Sequence, residues 1–261
     1  KNPLRKRLPR EIRSECGKYI VVFLLMVTTI GFVSGFLVAD NSMLKAYRES
    51  FAKYHIEDGN FRTAERVYRS QREDIEKLGV KLYENYYIET EMDNESTLRF
   101  FKNRKEVNLV CLMKGEFPQK TGEIAIDRMY ADNNQLSVGD SMTSGERSWK
   151  ITGLVALSDY SCLFQNNHDS MFDAVKFGVA VVTPEEFDTL NQDKLQYSYS
   201  WKYDQEPATE EAEKEKSEDL MEETGKIVSL EDFVPRYTNQ AIQFTGEDLG
   251  SDRAMMIVLL Y

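Results

Sequence analysis

The stretch KYIVVFLLMVTTIGFVSGFLVAD, residues 18–40, separates a basic beginning of the chain from an acidic remainder. Residues 19–39 carry no charged side chain, and most of them are apolar. As a helix rising 1.5 Å per residue, this segment extends about 31 Å, which matches the ~30 Å hydrocarbon core of a bilayer. The stretch therefore predicts a transmembrane helix over 19–39. A cleaved signal peptide is the alternative, although its apolar core usually has only about 7–15 residues.

Charge predicts how this helix is oriented. Residues 1–18 contain seven Lys or Arg residues and two Glu residues, whereas the whole chain has a formal net charge of −11. Because basic flanks stay on the cytoplasmic side, we expect residues 1–18 to be a cytoplasmic basic segment. Residues 2–14 predict either a short amphipathic helix that lies on membrane lipids or a plain charged tail. The acidic remainder is then extracytoplasmic. Its acidity argues against nucleic acid as a partner, because nucleic-acid binding needs a basic surface.

A second apolar run ends the sequence. Residues 254–261 are uncharged and apolar, but they are too few to span a bilayer. We interpret them as the start of a second transmembrane helix, which implies that the sequence is a fragment of a longer protein. A terminal core strand is the alternative.

Between the two apolar runs the sequence first predicts a helix and then a mixture of strands and helices. Residues 40–55 keep helical spacing and predict a stalk helix that continues the membrane helix outward. Ser70 is the predicted N-cap of a helix that ends before Gly79. Runs rich in β-branched and aromatic residues predict strands at 59–65, 80–92, 97–101 and 107–113.

Two later segments differ from these in amino-acid composition. The stretch KFGVAVVTPEEFDTL, residues 176–190, predicts a buried strand that enters a helix, with Thr183 as N-cap and Pro184 at its first position. Residues 206–223 contain nine acidic residues and two lysines. Such a segment is either a solvated helix or a flexible excursion, and the sequence leaves both open.

The chain carries no recognisable catalytic, cofactor or metal motif. It has two histidines, far apart, and no HExxH, CxxC, GxSxG, GxGxxG or phosphate-binding loop. The oxygen-rich residues 58–60 do not fit a calcium-loop spacing and are interpreted as turn residues. Cys111 and Cys162 are expected to be free or incidental thiols, because two cysteines do not form a disulfide framework in so long a segment.

One stretch of alternating aromatic residues has the character of a surface that binds a substrate or a partner. In YSYSWKY, residues 197–203, aromatic residues alternate with small or polar ones, which predicts a strand with one aromatic face. Aromatic faces can contact a substrate or a partner, but they can equally form the buried face of a sheet. The candidate contact residues are Tyr197, Tyr199, Trp201 and Tyr203.

The order of these segments resembles the permease subunits of FtsX-like and MacB-like ABC transporters. The basic LPREIRSECGKY (8–19) leads into the first membrane helix, and the stalk ends at EDGNF (57–61). The glycine-rich VGDSMTSGERSWKITGLV (138–155) is similar to a recurring pattern of the family's extracytoplasmic core. NQAIQFTGEDLGSDRAMMIVLLY (239–261) leads into the second membrane helix.

The resemblance implies an α+β fold. An N-terminal transmembrane helix and helical stalk would carry an extracytoplasmic domain of split β-α-β, porter-like units. These units would comprise residues 56–114 and 165–245, and an inserted β-rich, sabre-like module would comprise 115–164.

The resemblance also implies a function and partners. Such a permease passes ATP-driven movement from a separate cytoplasmic ATPase to the extracytoplasmic domain, alongside a second permease copy or homologue, in the bacterial plasma membrane. Relatives handle peptides, lipids or lipoproteins. The chain itself would not be an enzyme and would need no cofactor. A membrane-anchored sensor or receptor is the alternative, because it would show the same order of segments.

Overall fold

The structure is a computed structural model that describes residues 15–258, with the backbone alone for 249, 250 and 252–258. These residues form two units. One comprises 15–47 with 247–258, and the other, the compact unit, comprises 48–246. Residues 1–14 and 259–261 lie outside the described residues, so most of the basic segment 1–18 and the end of the apolar run 254–261 stay predictions.

The described residues contain six α-helices and eleven β-strands. The helices are α1 (Cys16–Lys53), α2 (Arg69–Glu76), α3 (Arg128–Asn133), α4 (Pro184–Thr189), α5 (Glu210–Ile227) and α6 (Gln240–Val258). The strands are β1 (Gly59–Thr63), β2 (Val80–Glu84), β3 (Tyr87–Glu91), β4 (Thr97–Lys102), β5 (Val110–Gly115), β6 (Glu123–Asp127), β7 (Ser141–Ser144), β8 (Arg147–Leu157), β9 (Phe177–Val182), β10 (Leu195–Tyr203) and β11 (Leu230–Pro235).

Helix α1 is a single element of 38 residues. Within residues 15–258 it is the one helix that is long and apolar enough to cross a membrane. Its apolar window has a mean hydropathy of 2.5 and is not buried by the rest of the chain. The predicted membrane helix 19–39 and most of the predicted stalk 40–55 are thus parts of one continuous helix.

The strands of the compact unit join in one mixed sheet, as the predicted α+β class requires. Its order is β11-β1-β10-β3-β4-β9-β6-β8-β5, with β2 paired to β10 and β7 paired to β8. The pairs β4/β9 and β6/β8 are parallel, and the other described pairs are antiparallel. Residues 115–164 supply β6, α3, β7 and β8 to this sheet and its cover. Their assignment as a sabre-like module stays a prediction.

The two largest of the three hydrophobic clusters among the described residues lie along the sheet, and each contains one of the two tryptophans. The first core surrounds Trp149 and is built mainly from β3, β4, β6, β8 and β9. The second core surrounds Trp201 and is built from β1, β2 and β10 under α2 and α5. Because the chain has only these two tryptophans, their fluorescence reports on the two cores separately once one of them is replaced.

Several local predictions are confirmed. All six residues of β9 are buried, as a continuous apolar run predicts for a central strand. Helix α4 begins where the sequence predicts it, because the Thr183 hydroxyl accepts a hydrogen bond from the Glu186 N–H at 3.2 Å and Pro184 occupies the first turn.

Other local predictions need correction. Ser70 is not the N-cap of α2, because the helix begins at Arg69 and the Gln71 side chain accepts from the Tyr68 N–H instead. The predicted strand 80–92 is two strands, β2 and β3, separated at residues 85–86. The acidic segment 206–223, for which the sequence left a helix and a flexible excursion open, needs no correction: it is largely helical, since α5 has a Thr209 N-cap and buries residues 217, 220 and 224 on one face.

Asp127 gives the first core a pH-sensitive position. It ends β6 and is buried, and its carboxylate accepts hydrogen bonds from the N–H groups of Met129 (2.7 Å) and Tyr130 (3.2 Å) at the start of α3. Burial raises the pKa of Asp127 from an ordinary 3.8 to about 6, against the lowering effect of these hydrogen bonds.

The stability that Asp127 contributes should therefore be complete below pH 3.8 and should be lost as the pH rises through about 6. A rise of about two pKa units corresponds to roughly 3 kcal/mol of unfolding free energy. Asp127→Asn keeps an oxygen that can cap α3 but cannot ionise, so it should remove this component. The measurement is urea unfolding between about pH 4 and pH 7, followed by Trp149 fluorescence in a Trp201→Phe background. Equal pH slopes for the Asp127→Asn variant and its parent would contradict the prediction.

Candidate functional site

The most concentrated set of buried charges in the compact unit lies where the chain leaves α1 and where it approaches α6. Strand β1 begins six residues after α1 ends, and β11 ends shortly before α6 begins. The two strands are antiparallel neighbours, and Gly59 is paired with Pro235. The sheet therefore brings the segment that follows the first helix beside the segment that precedes the last one.

Asp58 is the centre of this site and is only 1% exposed. Its Oδ1 accepts from Lys202 Nζ at 2.8 Å and from Arg236 Nη1 at 2.7 Å, and its Oδ2 accepts from the Tyr203 N–H at 2.8 Å. We call Asp58, Lys202, Tyr203 and Arg236 the Asp58 cluster. One carboxylate thus binds β10 and the residue that follows β11, and two cations compensate its charge.

The backbone strengthens the same connection. The Asp58 N–H donates to the Trp201 carbonyl at 2.8 Å, and the Asp58 carbonyl accepts from the Arg236 N–H at 2.8 Å. The Arg236 guanidinium also lies over the Phe51 ring, 5.4 Å from its centroid, in the last turn of α1. Arg236 therefore contacts both the last turn of α1 and the buried carboxylate that follows this helix.

A second buried acid lies next to the first. Glu57 accepts hydrogen bonds from Asn60 Nδ2 and Asn108 Nδ2, both at 2.6 Å, and from the Ser200 hydroxyl. We call Glu57, Asn60, Asn108 and Ser200 the Glu57 cluster. Burial raises the pKa of Glu57, and the nearby Asp159 carboxylate adds to this effect.

The Glu57 cluster ties the end of α1 to the first core. Asn108 lies in the segment between β4 and β5, and it has a left-handed backbone with φ 49°. Its N–H donates to the His55 carbonyl at 3.1 Å, and the next N–H, of Leu109, donates to the Tyr54 carbonyl at 2.8 Å. Residues 54–57 are therefore hydrogen-bonded both to β10 and to the segment between β4 and β5.

The start of α6 is held by a different loop. The Ser161 hydroxyl donates to the Ala241 carbonyl at 2.7 Å, and the Asn167 carboxamide accepts from the Gln240 N–H at 2.8 Å. Phe244 packs on Phe164 at a ring distance of 5.6 Å. The loop after β8 thus contacts the first turns of α6, whereas the Asp58 cluster holds the segment after α1.

The aromatic stripe of β10 is mostly internal. Tyr199, Trp201 and Tyr203 are buried in the second core, and only Tyr197 is partly exposed. Trp201 stacks on Phe61 and Phe233 from the neighbouring strands. In this conformation the stripe packs in the core, which is one of the two alternatives that the sequence left open. Contact of these residues with a substrate or partner stays a prediction.

Sequence patterns do not reveal the two clusters. The sequence predicts turn residues at 58–60, but Asp58 is instead a buried acceptor for two cations, and β1 begins at Gly59. Cys111 is a free thiol, as expected. Within residues 15–258, no group of three or more His, Cys, Asp or Glu side chains is arranged to hold a metal ion.

No protein-family model and no curated protein matches this chain. Among solved structures, it is similar to the periplasmic region of MacB from Actinobacillus actinomycetemcomitans, with 12% identity over 64% of this chain and 83% of that one. It is also similar to the extracellular domain of the noncanonic ABC-type transporter YknZ from Gram-positive bacteria, with 13% identity over 67% of this chain and all of that one. The TM-score is 0.33 in both cases, too low for the likeness to decide fold or function.

Proposed function

We propose that this chain is part of the permease subunit of an ABC transporter. It would pass the ATP-driven movement of a cytoplasmic ATPase partner to an extracytoplasmic compact unit, for export or extracytoplasmic handling of a peptide, lipid or lipoprotein. The observation that carries the proposal is the continuity of α1. One helix contains the membrane-length apolar window, and its last turn, at Phe51, contacts Arg236 of the Asp58 cluster.

The arrangement suits a mechanical role better than a catalytic one. The charged groups of the Asp58 cluster form ion pairs with one another and hold backbone segments together. A helix resists bending because its backbone hydrogen bonds run along its axis, so a tilt at one end is carried to the other. In this proposal, the hydrolysis of ATP occurs on the partner, and a second permease copy or homologue completes the membrane part.

The proposal requires the compact unit to be outside the cytoplasm, with residues 1–18 inside. We expect Glu146→Cys, placed in the exposed turn between β7 and β8 of a chain whose own cysteines are replaced by serine, to react with a membrane-impermeant thiol reagent in intact cells. In the same background, Lys6→Cys should react only after the cells are lysed. The opposite pattern would reverse the orientation and overturn the proposal.

A further inference from the structure

A polar cleft of about 280 Å³ lies between the two cores of the compact unit. One wall comes from β1, β10 and β11, and the other comes from β3, β4 and the loop after β8. A second concavity, of about 550 Å³, shares Arg62 and Arg99 with the first and continues it along the surface. Arg62 therefore stands where the two join.

The two arginines of this cleft, Arg62 and Arg99, differ in the hydrogen bonds that their guanidinium groups make. The Arg99 guanidinium is saturated, because it donates to Glu89, to the Tyr160 hydroxyl and to the Gln165 carbonyl. Arg62 has only long contacts from Nη1 to two neutral oxygens, the Tyr87 hydroxyl at 3.5 Å and Gln196 Oε1 at 3.3 Å. Within the described residues it forms no ion pair, although the chain has an excess of acidic residues.

An acidic residue that also forms no ion pair within the described residues, Asp232, lies beside Arg62. Asp232 on β11 is its direct partner in the antiparallel register, so both side chains leave the sheet on one face. Both also line the cleft. Their charged groups nevertheless form no ion pair with each other, and the Asp232 carboxylate accepts no hydrogen bond from another described side chain or backbone group.

A cation and an anion that form no ion pair on one wall match a ligand that carries both charges. We propose that the cleft binds a small zwitterion of the α-amino acid class, with its carboxylate on Arg62 and its ammonium group on Asp232. Guanidinium and carboxylate groups form paired, charge-assisted hydrogen bonds, which fixes the orientation of the ligand. The volume of about 280 Å³ lies just below the range for drug-sized pockets, about 300–1,000 Å³, and suits a small ligand.

The polar lining supports this class of ligand rather than an apolar one. Asn60, Ser198 and Gln165 also line the cleft, and Gln165 belongs to the opposite wall from Arg62. A ligand held there would contact both sides of the cleft. The site stands independently of the proposed transport function, because it rests on the cleft alone.

The test is thermal unfolding of the full chain in detergent with each of the protein amino acids as probe. Binding to the folded state raises the unfolding midpoint in proportion to ln(1 + [L]/Kd). We expect at least one amino acid to raise it, and isothermal titration to show binding of that amino acid weakened about tenfold or more by Arg62→Gln and by Asp232→Asn. Arg66→Gln and Asp204→Asn, which remove exposed charges outside the cleft, should leave binding unchanged.

Acetate and methylamine, each with only one of the two charges, are the matched probes. Neither should bind the native chain as tightly as the amino acid. If acetate binds equally well, the site is only an anion site, and the proposal is wrong. It is also wrong if no amino acid raises the midpoint, or if folded Arg62→Gln and Asp232→Asn proteins bind as the native chain does. Trp emission spectra of the variants establish that they are folded, and Arg62→Lys and Asp232→Glu, which keep the charges, should retain part of the affinity.

Discussion

Asp58→Ala is expected to destabilise the compact unit by about 2–3 kcal/mol, less than the ~3–5 kcal/mol of a fully buried ion pair, because the Lys202 and Arg236 side chains are 25% and 23% exposed. The change leaves the Lys202 ammonium and the Arg236 guanidinium without their shared carboxylate. It also leaves the Tyr203 N–H without its acceptor. Since a domain is stable by only about 5–15 kcal/mol, the variant should unfold at a much lower urea concentration.

The matched control is Asp74→Ala. Asp74 accepts from Lys77 in an i,i+3 pair on α2, but its side chain is 55% exposed. Exposed pairs contribute about 0–1 kcal/mol, so this change should have little effect. Urea unfolding followed by tryptophan fluorescence compares the two variants. A loss below about 1 kcal/mol for Asp58→Ala would show that the cluster does not hold the unit together.

Local sequence patterns predict much of the fold because the forces behind them are local. Thr183 and Pro184 determine where α4 begins whatever surrounds them, since an N-cap and a first-turn proline act within one turn. The apolar stretch of α1 and the alternating residues of β10 are likewise periodic patterns that a single segment contains.

The Asp58 cluster could not be predicted in this way, because its members come from distant parts of the chain. Lys202 is 144 residues from Asp58, and Arg236 is 178 residues away. Only the sheet register brings them together. The need for glycine at position 59 could not be predicted from the local sequence either. A Cβ there would lie 2.1 Å from Trp201 Cζ2, and this contact exists only because β1 pairs with β10.

The lack of an ion pair at Arg62 and Asp232 also depends on the tertiary structure. Arg62 and Asp232 have the sequence character of ordinary solvent-facing residues of two strands, and nothing in either strand marks them as unpaired. The acidic segment 206–223 illustrates a different difficulty. Its high charge makes a flexible excursion as reasonable as a helix, and the outcome depends on three buried positions of α5.

Breaking α1 should uncouple ATP hydrolysis from the output of the transporter. Ala46 is an exposed residue of α1 and belongs to neither the Asp58 cluster nor the Glu57 cluster. Proline there removes a backbone hydrogen bond and clashes with the preceding turn, which costs about 3 kcal/mol or more and kinks the helix. A pair of glycines inserted after it adds flexibility. Assembly and the fold of the compact unit should survive, because neither cluster is altered.

The most direct test measures ATPase activity, transport output and assembly together, in membranes that carry the complete transporter. Ala46→Gln, which keeps the helix, is the control and should leave all three unchanged. For Ala46→Pro with the glycine pair, we expect an assembled complex that hydrolyses ATP but whose output falls close to background. Normal output from the assembled variant would show that α1 is only a tether, which would contradict transmission through the helix and favour a membrane-anchored sensor.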